Sequence, residues 1–331
     1  MTAAPRSDRE PPATSRRSVD VIIPAFNEED CVEELAQRLT RLFDLESSYD
    51  WRAIVVENGS TDHTWELLQK ISAADPRFTV LRLSRNFHMD GGLTAGLEYA
   101  TADAAVFMAA DLQDPPEAIS EFLRCWEQGA HNVYGLVTER QGTSLLRRFN
   151  SQAFYWVANR ITSGRMPRNA SDFRLMDRRV YETLRGLDER NRFMRGLVSW
   201  VGFESASVPV PRTPRFAGSS KAYSLPVFGL AMRALFAHTY LPLRLITLVG
   251  IFFSFASVVS FAVLAVIWET QGVPFAGFGS LVSLGLFGFG VLTVMLGVIA
   301  EYLGLIYEEV KRRPNFVVQD TVGLPDSVRD R

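Results

Sequence analysis

Residues 19–29 read VDVIIPAFNEE, a short apolar run that ends in polar side chains. A run of this kind, closed by Asn and Glu, predicts a buried strand from Val19 to Pro24. A second run, Ala53 to Val56, ends in the same way, and each run is followed by a segment with helical spacing. This alternation of strand and helix indicates a parallel sheet.

Three further strands and two helices extend the pattern along the chain. The strands are predicted at Thr79 to Leu83, Ala104 to Ala109 and Asn132 to Leu136, and the helices at Gly92 to Ala100 and Pro116 to Gln128. The predicted architecture is a doubly wound α/β sandwich, in which ligands bind beyond the carboxyl ends of the strands. Polar clusters follow four of the strands: Asn27-Glu28-Glu29, Glu57-Asn58-Gly59-Ser60, Arg85-Asn86 and Asp111-Leu112-Gln113-Asp114.

Length and charge limit the classes of function. A chain of 331 residues predicts one large α/β domain with an appendage. The net charge of -2 argues against a long nucleic acid as partner. With only Cys31 and Cys125 there is no disulfide framework, which suits a reduced cytosolic setting. Residues 1–18 lack an apolar core and are predicted to be a disordered lead.

Two uncharged stretches near the end of the chain predict membrane spans. Residues 245–268 and 275–300 carry no charge and are long enough to cross a bilayer as helices, although two buried core helices would show the same pattern. The Arg and Lys residues outside the two stretches predict cytoplasmic flanks and an external turn around Glu269. We therefore expect a multi-pass membrane protein with cytoplasmic termini. Its expected parts are an α/β domain (19–224), an interfacial segment (225–244), helices at 245–268 and 275–303, and a tail (304–331).

The cluster after the fourth predicted strand suits a divalent cation. Mg²⁺ and Mn²⁺ take oxygen ligands and leave coordination positions for phosphate, so one carboxylate and one side-chain carbonyl can anchor them. Asp111 and Gln113 supply this pair. Asp114, which precedes Pro115, is either a helix cap or a catalytic residue.

The motifs taken in order carry a family resemblance. They are VIIPAFNEE, VENGSTD, LSRNF, ADLQDPPE and SDFRLMD, and the resemblance that they carry runs from about Val19 to the end of the second predicted membrane helix. As a set they resemble the family 2 glycosyltransferases. Within that family they are most similar to the polyprenyl-phosphate branch, which includes dolichyl-phosphate mannose synthases and bacterial undecaprenyl-phosphate sugar transferases.

The resemblance implies a GT-A fold, with a Rossmann-like doubly wound mixed sheet, and inverting transfer of one sugar. The donor would be a UDP- or GDP-linked sugar, with Mg²⁺ or Mn²⁺ on Asp111 and Gln113. The acceptor would be undecaprenyl or dolichyl phosphate at the cytoplasmic membrane face. The nucleotide would lie near six residues: Pro24, Asn27, Glu29, Glu57, Asn58 and Arg85. Glu29 and Glu57 have an alternative reading as solvated charges at strand ends.

The resemblance also implies an acceptor site and a lid. Arg140, Arg147 and Ser151 match positions that contact the acceptor phosphate in the family, where arginine forks suit a phosphate; the alternative for such arginines is contact with lipid headgroups. Arg192 and Arg195 are assigned to the same phosphate. Together with Arg215, Ser220 and Lys221 they also resemble a lid over the diphosphate.

Asp172 matches the family's base or orienting carboxylate. Because a phosphate acceptor is already an oxyanion, we expect Asp172 to orient Arg174, the metal or the sugar rather than to remove a proton. A purely structural pair of Asp172 with Arg174 is the alternative.

Three departures from the family pattern leave other functions open. Glu57-Asn58 stands where paired aspartates are common, Ala109 where an Asp is common, and Val137 where an Arg is common. They suggest a catalytically weakened membrane scaffold as the alternative. A processive polysaccharide synthase would have more spans and a Gln-x-x-Arg-Trp motif. A dinucleotide dehydrogenase is disfavoured because no Gly-x-Gly-x-x-Gly follows the first strand. A homo-oligomer is compatible with all these readings.

Overall fold

The chain divides into two units, and the computed structural model describes residues 16–137, 170–190, 192–211, 241–271 and 277–324 of it. The first unit comprises Met1–Lys221 together with Pro314–Arg331, and the second comprises Ala222–Arg313. The first unit contains a sheet with helices on both faces, whereas the described part of the second unit is helical.

In the described part of the first unit, eight strands form one mixed sheet in the order β7-β5-β6-β4-β1-β2-β3-β8. The strands are β1 Arg17–Ala25, β2 Tyr49–Glu57, β3 Phe78–Leu83, β4 Ala104–Phe107, β5 Asn132–Val137, β6 Ala170–Asp177, β7 Ser205–Val210 and β8 Val318–Val322. The helices are α1 Val32–Leu45, α2 Thr64–Ala74, α3 His88–Glu98, α4 Ile119–Glu127, α5 Arg178–Arg185 and α6 Met194–Val201, with a 3₁₀ turn at Pro116–Ala118.

Four neighbouring strands at the centre of the sheet are parallel. Ala25 of β1 is in register with Glu57 of β2, Glu57 with Arg82 of β3, and Ile22 of β1 with Phe107 of β4. The parallel sheet expected from the sequence is thus correct for these strands and for β5 with β7. β6 and β8, for which no strand was predicted, run antiparallel to their neighbours, so the sheet is mixed, as the family resemblance implies.

Alternation along the strands divides the core between the two faces of the sheet. In β1 the odd-numbered apolar residues Val19, Val21 and Ile23 pack with α1, α2 and α4. Ile22 points to the other face and packs with α3, α5 and α6. This arrangement confirms the doubly wound sandwich, because strand side chains alternate with period two and both faces must be covered.

A strand from the end of the chain completes one edge of the sheet. β8 pairs antiparallel with β3, Ser84 N donates to Val317 O at 2.9 Å, and Leu324 is buried in the core on the α3 face. The sequence analysis placed these residues in a tail, whereas the structure places them in the sheet. β8 therefore covers an edge of β3 that would otherwise present unpaired backbone groups.

The second unit contains two long helices, α7 Leu241–Gln271 and α8 Phe278–Lys311. Their contacts include the rings of Phe253 and Phe287, whose centroids are 5.5 Å apart. In the part of the chain that the structure describes, Phe287–Lys311 is the stretch with the length and apolar composition of a membrane span. The other expected span, at residues 245–268, lies within α7 and stays a prediction. The orientation of the termini and the domain limits also stay predictions.

One glycine brings α3 close to the sheet. An added Cβ at Gly96 would collide with the Ile22 side chain, which is fully buried. We predict that Gly96→Ala lowers the melting temperature by several degrees. Overpacking the core lowers the free energy of unfolding by about 1–3 kcal/mol. The higher helix propensity of alanine over glycine offsets roughly 1 kcal/mol of this loss. Thermal unfolding of the detergent-solubilised protein, followed by circular dichroism, measures the change.

The control is Gly186→Ala at the end of α5, where φ is -71° and an added Cβ would have only ordinary contacts at 3.6 Å. Equal melting temperatures for the two variants would contradict the close packing of α3 on β1.

Candidate active site

The loops that follow β1 and β2 are held together by hydrogen bonds at the carboxyl edge of the sheet. Asn27 N donates to Ser60 Oγ at 3.0 Å, and Thr61 N donates to Asn27 Oδ1 at 2.8 Å. A third bond joins His63 N to Glu29 Oε2 at 3.0 Å. Asn27 and Glu29 thus lie where the sequence predicted a nucleotide pocket, and both side chains fix the shape of that edge.

Glu57 is a buried carboxylate at the end of β2. It is 0% exposed, accepts a hydrogen bond from Ser60 N, and lies 3.2 Å from Arg82 Nε. That second contact is an ion pair without hydrogen-bond geometry, since Glu57 Oε2 has no hydrogen-bond partner. Arg82 in turn lies over the Trp65 ring at 4.8 Å. A solvated charge is therefore wrong for Glu57, whose carboxylate supports the loop that carries Ser60.

Asn58 joins the end of β2 to the loop before α3. Its Oδ1 accepts from Phe87 N at 2.9 Å, and its Nδ2 donates to His88 O at 2.8 Å. His88 has a positive φ of 62°, and Asn86 Oδ1 accepts from its amide at 2.7 Å. A donor and an acceptor are both needed at position 58, so an amide suits this position where a carboxylate would not.

A left-handed residue also shapes the turn after β4. Leu112 is buried and has a φ of 57°, a conformation that is costly for a side chain of this size. The residues on either side of Leu112 are joined by a hydrogen bond, which Gln113 N donates to Asp111 Oδ1 at 3.2 Å. The turn therefore holds Asp111 and Gln113, the predicted metal ligands, two residues apart at the same edge.

The donor chemistry of this turn fits a divalent cation with few protein ligands. A carboxylate and an amide oxygen are hard ligands of the kind that Mg²⁺ and Mn²⁺ accept. Ala109 adds no ligand, and the described residues contain no group of three or more His, Cys, Asp or Glu placed to hold a metal. The remaining coordination positions would be filled by phosphate and water.

β6 brings a second acidic stretch to this edge. Ser171 Oγ lies 3.5 Å from Asp114 Oδ1, so Asp114 faces β6. Both oxygens of Asp172 bind Arg195, and its Oδ1 lies 2.8 Å from Arg195 Nε. From the sequence, Arg195 was assigned to phosphate, and Asp172 was expected to orient Arg174, the metal or the sugar. In the structure Arg195 makes the two-pronged bond to the Asp172 carboxylate.

Arg174 is buried beneath this pair. It is 3% exposed, and its guanidinium donates to backbone carbonyls, including Ser171 O at 2.9 Å. Burial lowers the pKa of Arg174 to about 10, while Asp172 opposes the shift, so the group stays charged at neutral pH. A buried positive charge therefore lies under the carboxyl edge of the sheet.

Asp90 is a further acidic residue of this region that sequence reasoning missed. It lies in the first turn of α3, and its Oδ1 accepts from Met194 N at 3.1 Å. Burial raises the pKa of Asp90 to about 6, and nearby Asp172 adds to the shift. The available sequence signal was its position, since it follows the LSRNF motif at a strand's carboxyl end.

The other predicted site residues have the following positions. The Pro24 ring is buried beside Gly92 of α3. Arg85 lies over the Phe87 ring at 3.9 Å, and Arg192 donates to Leu187 O. The remaining ones lie outside the described residues: Arg140, Arg147, Ser151, Arg215, Ser220 and Lys221.

The amide requirement at position 58 is testable. We predict that Asn58→Asp lowers the free energy of unfolding by about 1–3 kcal/mol, because a carboxylate cannot donate to His88 O. Asn86→Asp is the matched control, since it retains the acceptor for the His88 amide and should change stability little. Thermal unfolding measures both, and an Asn58→Asp variant as stable as the control would contradict this role.

Comparison with known proteins places the chain in a family. The Glycosyl transferase family 2 model matches residues 20–185. A Synechocystis sp. protein described as a glycosyltransferase is 40% identical over 309 residues, which cover 92% of this chain and 96% of that protein. The SfII prophage-derived bactoprenol glucosyl transferase of Shigella flexneri is 34% identical over 301 residues, 91% of this chain and 97% of that one.

A solved structure is more distant. Staphylococcus aureus TarS residues 1–349 with UDP-GlcNAc has a TM-score of 0.45 and 16% identity, over 67% of this chain and 66% of that one. This likeness is too weak to transfer ligands or residue roles. The family model matches half of the chain and the two sequence relatives cover more than nine-tenths of it, and they show that the chain belongs to the family 2 glycosyltransferases.

Proposed function

We propose that the protein transfers one sugar from a nucleoside diphosphate sugar to a polyprenyl phosphate at the cytoplasmic face of a membrane. The observation that carries the proposal is the meeting of two acidic stretches at one sheet edge, where Ser171 Oγ is 3.5 Å from Asp114 Oδ1. The family's ordered motifs lie on these stretches. The match to a protein named bactoprenol glucosyl transferase, over 91% of this chain, supports a lipid phosphate acceptor.

On the donor side, the loops after β1 and β2 would hold a UDP or GDP moiety. Asp111 and Gln113 would bind Mg²⁺ or Mn²⁺, which stabilises the negative charge of the departing diphosphate. The positive φ at Leu112 supports this role, since strained backbone is frequent where ligands are bound. The sugar would then lie between this turn and β6.

On the acceptor side, the nucleophile would be a phosphate oxygen of the lipid. Such an oxygen needs little help from a base, because the second pKa of a phosphate monoester is about 6. Asp172 would therefore orient the reaction through Arg195, and a direct attack on the anomeric carbon would invert its configuration. Arg140, Arg147 and Ser151 remain the proposed contacts to the acceptor phosphate.

The helical unit would hold the enzyme at the bilayer. We propose that residues 245–268 and 275–303 both cross it and that both termini are cytoplasmic. The apolar stretch Phe287–Lys311 supports one crossing, and Lys311, Arg312 and Arg313 at its end suit the cytoplasmic side.

The direct test uses the purified full-length protein with undecaprenyl or dolichyl phosphate and a panel of labelled nucleotide sugars. We expect one sugar per lipid, a single product band, and dependence on Mg²⁺ or Mn²⁺. Long polymeric products would favour a processive synthase. Absence of transfer from every donor, with the protein folded, would favour the weakened scaffold.

The metal site has a test of its own. We predict that Asp111→Asn lowers kcat by about a hundredfold or more, since it removes stabilisation of the leaving group. It should also abolish the Mn²⁺-dependent part of nucleotide sugar binding measured by calorimetry. The control is Asp50→Asn, an exposed carboxylate at the opposite end of β2. Full activity and metal-dependent binding in the Asp111 variant would refute the assignment.

A further inference from the structure

Asp90 caps a helix that lies far from it in the sequence. Its Oδ1 accepts from Met194 N at 3.1 Å, and Met194 is the first residue of α6. Phe193, which precedes α6, makes no capping hydrogen bond with its own side chain. The first turn of a helix leaves backbone amides unpaired and favours negative charge. A carboxylate on α3 therefore stabilises the start of α6.

The residue after Met194 is Arg195, whose guanidinium binds both oxygens of Asp172. The position of α6's first turn thus determines where Arg195 meets Asp172. The titratable or charged groups that influence the pKa of Asp90 are Asp172 on β6, Arg195 on α6 and His88 on the same helix as Asp90. These contacts join α3, α6 and β6 at one edge of the sheet.

The ionised form of Asp90 is unfavourable for the fold. Burial, and to a smaller extent Asp172, raises the pKa of Asp90 to about 6 from an ordinary 3.8. The folded state therefore holds the proton more tightly than the unfolded chain does. The contribution of Asp90 to stability is therefore greatest below pH 3.8 and is lost as the pH rises through 6. An asparagine would accept a hydrogen bond from Met194 N, although a weaker one, without that loss, so the stability of the fold alone does not account for a charge here.

We propose that Asp90 is a positioning residue for sugar transfer, whose carboxylate fixes the first turn of α6 and thereby holds Arg195 against Asp172. This inference rests on the proposed function, which gives Asp172 and Arg195 their role. Loss of the negative charge weakens the bond to Met194 N, because charge-assisted hydrogen bonds are stronger than neutral ones. Arg195 is then held less firmly, and the transfer step slows.

The test compares Asp90→Asn with the wild type across pH. The acceptor phosphate also titrates near pH 6, so we use the ratio of wild-type to variant kcat, in which that titration cancels. The ratio should be close to 1 at pH 5 and rise to about tenfold above pH 7, which corresponds to about 1.4 kcal/mol. The KM for the nucleotide sugar should stay the same. A ratio that does not change with pH would overturn the proposal.

A double-mutant cycle shows whether Asp90 acts through Arg195. If it does, Asp90→Asn should slow an Arg195→Lys enzyme much less than it slows the wild type. Fully additive losses would overturn the proposal. Asp177→Asn is the matched control: Asp177 caps α5 by accepting from Arg179 N at 3.0 Å. That variant should lower the melting temperature and leave the pH dependence of kcat unchanged.

Thermal unfolding separates this inference from the proposed function. Asp90→Asn should raise the melting temperature at pH 8, with a much smaller gain at pH 4, because only ionised Asp90 destabilises the fold. An equal change at both pH values would overturn the account of Asp90. If the wild type transfers no sugar while this difference is present, the proposed function fails and the geometry of Asp90 stands.

Discussion

The site depends on the parallel pairing of β1 with its two neighbours. Backbone hydrogen bonds align Ala25 with Glu57 and Ile22 with Phe107, so the loops after three strands emerge at one edge. The antiparallel β6 then adds residues from a distant part of the chain. Because Arg174 is in register with Phe107, the residues just before it, Ser171 and Asp172, extend past the end of β4. This pairing brings Ser171, the neighbour of Asp172, within 3.5 Å of Asp114, which follows the turn that contains Asp111.

Polar side chains hold the loops at this edge in unusual conformations. Asn27, His88 and Leu112 each have a positive φ; Asn27 and Leu112 lie in loops, and His88 is the first residue of α3. Asn58 supports the segment before α3, and Glu57 supports the loop after β2, each by accepting a hydrogen bond from a backbone amide. The departure from paired aspartates at 57 and 58 thus has a structural explanation: one carboxylate is buried and paired with Arg82, and the amide beside it must both donate and accept. The departure at Ala109 has no such explanation.

The sequence predicted the local parts of the fold well. The strands β1 to β5 and the helix α4 were found within a few residues, because burial imposes a regular apolar pattern on them. β8 was missed, because its apolar pattern is short and its partner β3 lies more than 200 residues away. The cap that Asp90 provides for α6 was missed for the same reason: it joins residues 104 apart. Ligand chemistry and motif resemblance predicted site roles for Asp111, Gln113 and Asp172, and these roles stay predictions. Neither could show that Arg195, rather than Arg174, makes the two-pronged bond to Asp172.

The central claim is that the carboxyl edge of the sheet holds a nucleotide sugar. Hydrogen–deuterium exchange of the full-length protein, with and without the donor and Mg²⁺, tests it directly. We predict slower exchange in peptides that cover residues 26–29, 58–63 and 110–114, and little change in peptides from the opposite edge, around Asp50 and Asp103. Donor binding that protects the opposite edge, or that leaves the three loops unchanged, would contradict the account.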